Sequence, residues 1–126
     1  MGQSTRIALD TNILLAIEEF KVDVFTQLRG LFGKVDVIVP EQVIEELLRF
    51  RESNKKIGKS ARVALEIISK KNVKKVEVKG KNADDALVAL SGKAIIASLD
   101  KGLLKKLKEK NVMTLSLRQK KFIVPS

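Results

Sequence analysis

The chain has 126 residues, with 25 Lys and Arg against 15 Asp and Glu for a formal net charge of +10, and it contains no Cys, His, Trp or Tyr. At this length one domain spanning residues 1–126 buries roughly two-thirds of its unfolded surface, and no apolar run approaches the ~18 residues needed to cross a bilayer. Without thiols or imidazoles, Ser-His-Asp triads, Cys nucleophiles and thiolate or imidazole metal sites are excluded. What survives is hard-cation chemistry on carboxylates, Lys or Ser/Thr nucleophiles, and plain binding. Met1 to Arg6 has no basic segment leading into an apolar stretch, so a cytoplasmic location is expected.

In chain order, Arg6 to Leu9 reads as a short buried strand ending at Asp10. Ile13 to Phe20 and Val24 to Phe32 have helical spacing, and Gly33 closes the second of them. Val35 to Val39 is a strand, and Pro40 stands where proline is tolerated at a helix start. The helix from Glu41 to about Arg51 puts Val43, Ile44, Leu47, Leu48 and Phe50 on one face. Glu52 to Lys59 is polar and is expected as a loop, Ser60 to Lys70 as a helix, and Val73 to Val78 as a strand. Asn82 caps a helix running to Ser91, and Ala94 to Ser98 is a strand leading to Asp100. Lys101 to Lys110 is a basic helix, Val112 to Leu115 a core strand, and Phe122 to Val124 an edge strand.

This alternation predicts an α/β fold, a three-layer α/β/α sandwich on a mostly parallel sheet, with the strand C-termini along one rim where sites gather. Asp10 and Asp100 each follow a strand and precede a helix, so both should project from that rim. Glu46 lies nearer the centre of its helix's apolar face than Glu45 does. Asp84, with Leu87, Val88 and Ser91 on the same helix face, borders the core side, and Asp85 points further outward. Plainer roles also fit these residues: helix caps for Asp10 and Asp100, and first-turn acids favoured by the helix dipole for Asp84 and Asp85.

Charge is segregated along the chain. Residues 1–50 and 82–100 carry −3 and −2, whereas 51–81 and 101–126 carry +8 and +7. A basic surround holding a phosphate backbone beside an acidic centre suits a metal-dependent nuclease. The basic segments Lys55 to Lys81 and Lys101 to Lys121 are expected to supply that surround. Lys105, Lys106 and Arg118 are the candidate nucleic-acid backbone contacts, because Leu103, Leu104 and Leu107 turn their helix inward and leave its lysines in solvent.

Four segments, in order, resemble the motifs of the PIN-domain ribonucleases. Ala8-Leu9-Asp10-Thr11-Asn12 resembles the opening motif, and Val39-Pro40 through Glu46-Leu47 the helix-borne Glu-Leu. Ala83-Asp84-Asp85-Ala86-Leu87 resembles the third motif, and Ile95 to Asp100 the fourth. Ser98 replaces the usual Thr there, and Leu99 stands where many members have Asn. The double Asp and the basic tail look most like the archaeal and eukaryotic branch linked to small-subunit ribosomal RNA processing, with the VapC toxins as second choice.

The resemblance implies a Mg²⁺- or Mn²⁺-dependent endoribonuclease. Its catalytic and metal-holding set is Asp10, Glu46, Asp84 and Asp100, with Asp85 as alternate to Asp84. Thr11, Asn12 and Ser98 would orient ligands or substrate. It also implies RNA as substrate and, as further partners, a second copy of the chain, an antitoxin or a ribosome-assembly factor, with no membrane. A PIN-like module that binds RNA or a ribosomal partner without cutting is the non-enzymatic alternative. A haloacid-dehalogenase-type phosphatase is disfavoured because Asn12 stands where its second Asp is required.

Overall fold

The computed structural model describes residues 3–126. It contains strand β1 (Thr5–Leu9), helices α1 (Thr11–Glu19) and α2 (Val24–Phe32), strand β2 (Val35–Pro40), and helices α3 (Glu41–Arg51) and α4 (Lys56–Lys70). There follow β3 (Lys74–Val76), α5 (Ala83–Leu90), β4 (Ile95–Ala97), α6 (Lys101–Glu109), β5 (Thr114–Arg118) and β6 (Phe122–Pro125). The strands form one sheet in the order β3-β2-β1-β4-β5-β6, parallel throughout except for the antiparallel β6.

Alternation along the strands builds two cores, one on each face of this sheet. Ile7, Leu9, Val39 and Ala97 join Ile13, Leu14, Leu28, Val43, Leu47, Ala61 and Ala64, so α1 to α4 cover one face. Ala8, Ile38 and Ile96 point the other way, against Leu87 and Leu90 of α5 and Leu103 and Leu107 of α6. Both faces are therefore covered, which is the expected three-layer α/β/α sandwich. Leu47 and Leu107 are fully buried, and truncating either to Ala costs about 2–5 kcal/mol. Among the described residues no helix is long and apolar enough to cross a membrane.

The expected loop Glu52–Lys59 is shorter than the sequence suggested, because α4 begins at Lys56. Gly58 lets the first turn of α4 lie close against the α3–α4 connection: a Cβ at this position would fall on the Ser53 carbonyl. β3 is also shorter than expected, and the chain beyond it is held by Gln42 instead, whose Nε2 donates to the carbonyls of Val78 (2.8 Å) and Gly80 (2.9 Å). β5 extends to Arg118 because it pairs with β6 from Leu115↔Pro125 to Arg118↔Phe122. Gln119 and Lys120 make the connecting turn, both at positive φ (55° and 56°). Non-glycine residues seldom occupy that turn conformation, so the hairpin carries no sequence signature. The outer side of β6 is not bare: the Gln27 amide donates to the Lys121 carbonyl (2.7 Å) and accepts from the Ile123 N–H (2.6 Å).

Candidate functional site

Strand order reverses at β1, which has β2 on one side and β4 on the other, so the C-terminal ends of β1 and β4 flank a topological switch point. Leu9 pairs with Ala97, and the Asp10 N–H donates to the Ala97 carbonyl at 2.9 Å. Asp10 therefore sits beside Ser98 although 88 positions separate them. The Ser98 hydroxyl donates to Asp10 Oδ2 (2.7 Å) and accepts from the Asp100 N–H (2.9 Å), so one side chain sets both aspartates. Asn12 Oδ1 accepts from the Leu99 N–H at 2.9 Å and ties the same two loops together.

Asp10 caps α1 through the Thr11 N–H (2.7 Å), and Asp100 caps α6 through the Leu103 N–H (3.1 Å). The capping role anticipated from sequence is thus present, and it does not remove these carboxylates from the rim. Glu46 is half-buried on α3 while Glu45 is exposed. Asp84 is half-buried at the start of α5, and Asp85 is exposed, its Oδ2 accepting from the Lys81 N–H (3.3 Å).

Asp10, Thr11, Asn12, Glu46, Asp84 and Asp100 all line one cleft of about 390 Å³, walled by Leu15, Phe50 and Ile57. Asp85 is outside it, and Ser98 lies beneath it, fully buried. Burial pushes the Asp10 carboxyl up to about 6 against the hydrogen bonds from Ser98 and Thr11, with Asp84 and Glu46 adding repulsion. Asp84 is also raised, by burial and then by Asp100, with Glu46 and Asp85 adding to it and Lys106 opposing. The buried Thr11 hydroxyl has no hydrogen-bond partner among the described residues.

An all-oxygen donor set of mutually repelling carboxylates beside an orphaned hydroxyl fits a hard divalent cation. In this arrangement no three acidic side chains among the described residues are close enough to enclose one. Side-chain rotation, or water completing the coordination, would be needed.

Lys105, Lys106 and Arg118 are exposed. Of the three, Lys106 is near enough to Asp84 to favour its charged form. The expected basic surround is also divided: Lys56 and Lys59 lie in a groove that shares Leu15 and Ile57 with the acidic cleft, but Lys71, Lys74 and Lys110 line clefts at the opposite edge of the sheet. Segment charge could not have shown this, because each basic segment runs through a helix from one edge to the other. In the groove beside the cleft, hydrogen bonds from Lys21 and Ser60 hold the Glu18 carboxyl down to about 2. Lys106 as a neighbour of Asp84 and the apolar wall from α3 and α4 were not foreseen from sequence; Ile57 was hidden by the expected loop.

Residues 7–120 match the sequence profile of a PIN-like domain. Ribonuclease VapC4 from Methanocaldococcus jannaschii is 31% identical over 122 residues, covering 93% of each chain. In fold, the PIN domain endonuclease Utp24 superposes with a TM-score of 0.75 at 23% identity, covering 96% of this chain and 90% of that one. A domain of a functionally unknown protein from Methanocaldococcus jannaschii gives 0.57 at 19% identity, over 91% and 92% of the two chains.

Proposed function

The chain belongs to the PIN-like domain family, and on that premise we propose that it is a divalent-metal-dependent endoribonuclease working in the cleft of Asp10, Glu46, Asp84 and Asp100. The observation that carries the reading is the gathering of these acids from two strand-to-helix connections (Asp10, Asp100) and two helices (Glu46 on α3, Asp84 on α5) into one cleft. The name of the VapC4 relative, a ribonuclease, supports cutting over binding alone.

Asp10, Glu46, Asp84 and Asp100 would hold the ion, and bound Mg²⁺ or Mn²⁺ would supply a lowered water pKa and neutralise charge on the phosphate. Ser98 fixes the rotamer of Asp10 and the backbone of Asp100, keeping their relative position set before substrate arrives. Thr11 offers a hydroxyl proton with no acceptor among the described residues, suited to a water or a phosphate oxygen in the cleft. Lys106 offsets the negative field at Asp84.

Cleavage of a labelled single-stranded RNA should require Mn²⁺ or Mg²⁺ and stop in chelator, and Asp10→Asn should remove it. Undiminished cutting after thorough chelation would refute the mechanism. Persistent RNA binding with no cutting in any divalent ion would favour the non-catalytic module. The resemblance to the VapC toxins implies, as an alternative role, control by a small antitoxin-like partner. In that case the product of an adjoining small gene should form a complex with the chain and inhibit cleavage, whereas a ribosomal RNA-processing enzyme should be unaffected by it.

A further inference from the structure

The edge made by the N-terminal ends of the strands carries two shallow clefts. One, of about 270 Å³ where β2 and β3 begin, is lined by Arg29, Lys34, Lys71 and Lys74, with Asp36 as its acid. The other, of about 550 Å³ beside the starts of β1 and β4, is lined by Arg6, Lys93 and Lys110 and no acid. They adjoin, since the Thr5 N–H donates to the Lys34 carbonyl at 2.9 Å and Thr5 lies opposite Val35 in register. All seven bases are exposed, and among the described residues none of them forms an ion pair.

Four helices, α2, α4, α5 and α6, end at this edge, and their C-terminal residues Gly33, Lys71, Ser91 and Lys110 lie in or beside the clefts. Each helix end contributes about −0.5 charge, so together they account for about −2. The side chains of the two clefts bring a net +6 of the molecule's formal +10. Complementing the helix ends explains only about a third of that. The remainder is an extended positive band on the edge facing away from the acidic cleft.

We propose that this band is a second RNA-binding surface, which takes the sugar-phosphate backbone of a segment away from the one in the acidic cleft. Lys and Arg spread along an edge match a line of phosphates, and no exposed aromatic ring stands among them to stack on bases. The contacts therefore position RNA without reading its sequence. The proposal goes beyond the ribonuclease reading and is measured without cleavage.

The test is fluorescence anisotropy of a long unstructured RNA, in chelator, across a range of KCl concentrations. The combined variant Lys34→Gln, Lys74→Gln, Lys93→Gln and Lys110→Gln should bind about tenfold or more weakly. Its salt dependence should flatten by about 2 to 3 units of slope, from four contacts at about 0.7 each. Photocrosslinking of the unaltered protein should map RNA to peptides around Lys34, Lys74 and Lys93 as well as to the acidic rim. Unchanged affinity and slope, with the variant's circular dichroism intact, would overturn the proposal, and so would crosslinks confined to the rim. Unchanged binding by the variant alongside metal-dependent cleavage would end this proposal and leave the nuclease reading standing, whereas weakened binding with no cleavage in any divalent ion would do the reverse.

Discussion

The two edges of the sheet treat charge in opposite ways. At the strand C-terminal edge, four carboxylates from separate parts of the chain crowd into one partly buried cleft, where burial and then repulsion from the neighbouring acids raise the pKa of Asp10 and Asp84. At the N-terminal edge, bases lie apart and exposed, with no ion pairs among the described residues. In both places the side chains oppose the partial charge of the helix ends. Concentrating like charge in a cleft is costly and creates a demand for a compact counter-ion, whereas spreading it along a surface costs little and suits an extended polyanion. The comparison separates a place for chemistry from a place for holding.

The largest expected effect lies in the acidic cleft. Asp10→Asn or Asp100→Asn should lower the initial cleavage rate in Mn²⁺ on the order of a thousand-fold, the equivalent of several kcal/mol of charge stabilisation. A rate within tenfold of the unaltered protein would mean that the cleft is not where phosphate is cut.

The same cleft should register in metal-free stability. Asp10 titrates at about 6 when folded, against an ordinary 3.8, so the folded state binds the proton more tightly. Stability should therefore fall as pH rises from about 4 to about 6 and level off above, a loss of about 3 kcal/mol. Asp84 is shifted in the same direction and adds to the trend. Asp10→Asn should recover about 1–3 kcal/mol near neutral pH and nothing near pH 4, as measured by urea denaturation in chelator. A uniform loss at both pH values would show that the carboxylate is needed structurally.

Ser98→Ala removes the hydroxyl that serves both aspartates. Cleavage should fall roughly 10- to 100-fold and stability by about 1–3 kcal/mol, with Ser98→Thr restoring much of each. Equal defects in Ala and Thr would point to packing rather than to the hydroxyl.

The smallest effect belongs to the exposed lysines of α6. Lys105→Gln with Lys106→Gln should weaken RNA binding about equally for unrelated sequences and flatten the salt slope by roughly one or two units. A change larger than that of the four-lysine edge variant would reverse the ranking of the two surfaces.

Much of this was legible in the sequence because the carriers are local. Period-2 and helical spacing marked the strands and helices, and the residue after a parallel strand is bound to the rim, so Asp10 and Asp100 could be placed before any coordinates. Asp84 could be preferred to Asp85 from its helix face alone, and it is Asp84 that lines the cleft. The rest depends on tertiary contacts. Gly58 is required only by the close approach of the Ser53 backbone in the α3–α4 connection, the turn at Gln119 and Lys120 is set by strand pairing, and the Thr11 hydroxyl is orphaned only once the core closes around it. Which edge a lysine reaches depends on the direction of each connection, which no count of charges contains.

The Ser98 bridge ties the opening of the chain to a point 88 residues later. Asp10 and Asp100 become neighbours only because β1 pairs with β4. Opening that one strand pair would part the two carboxylates, so the cleft belongs to the closed sheet and not to either loop alone.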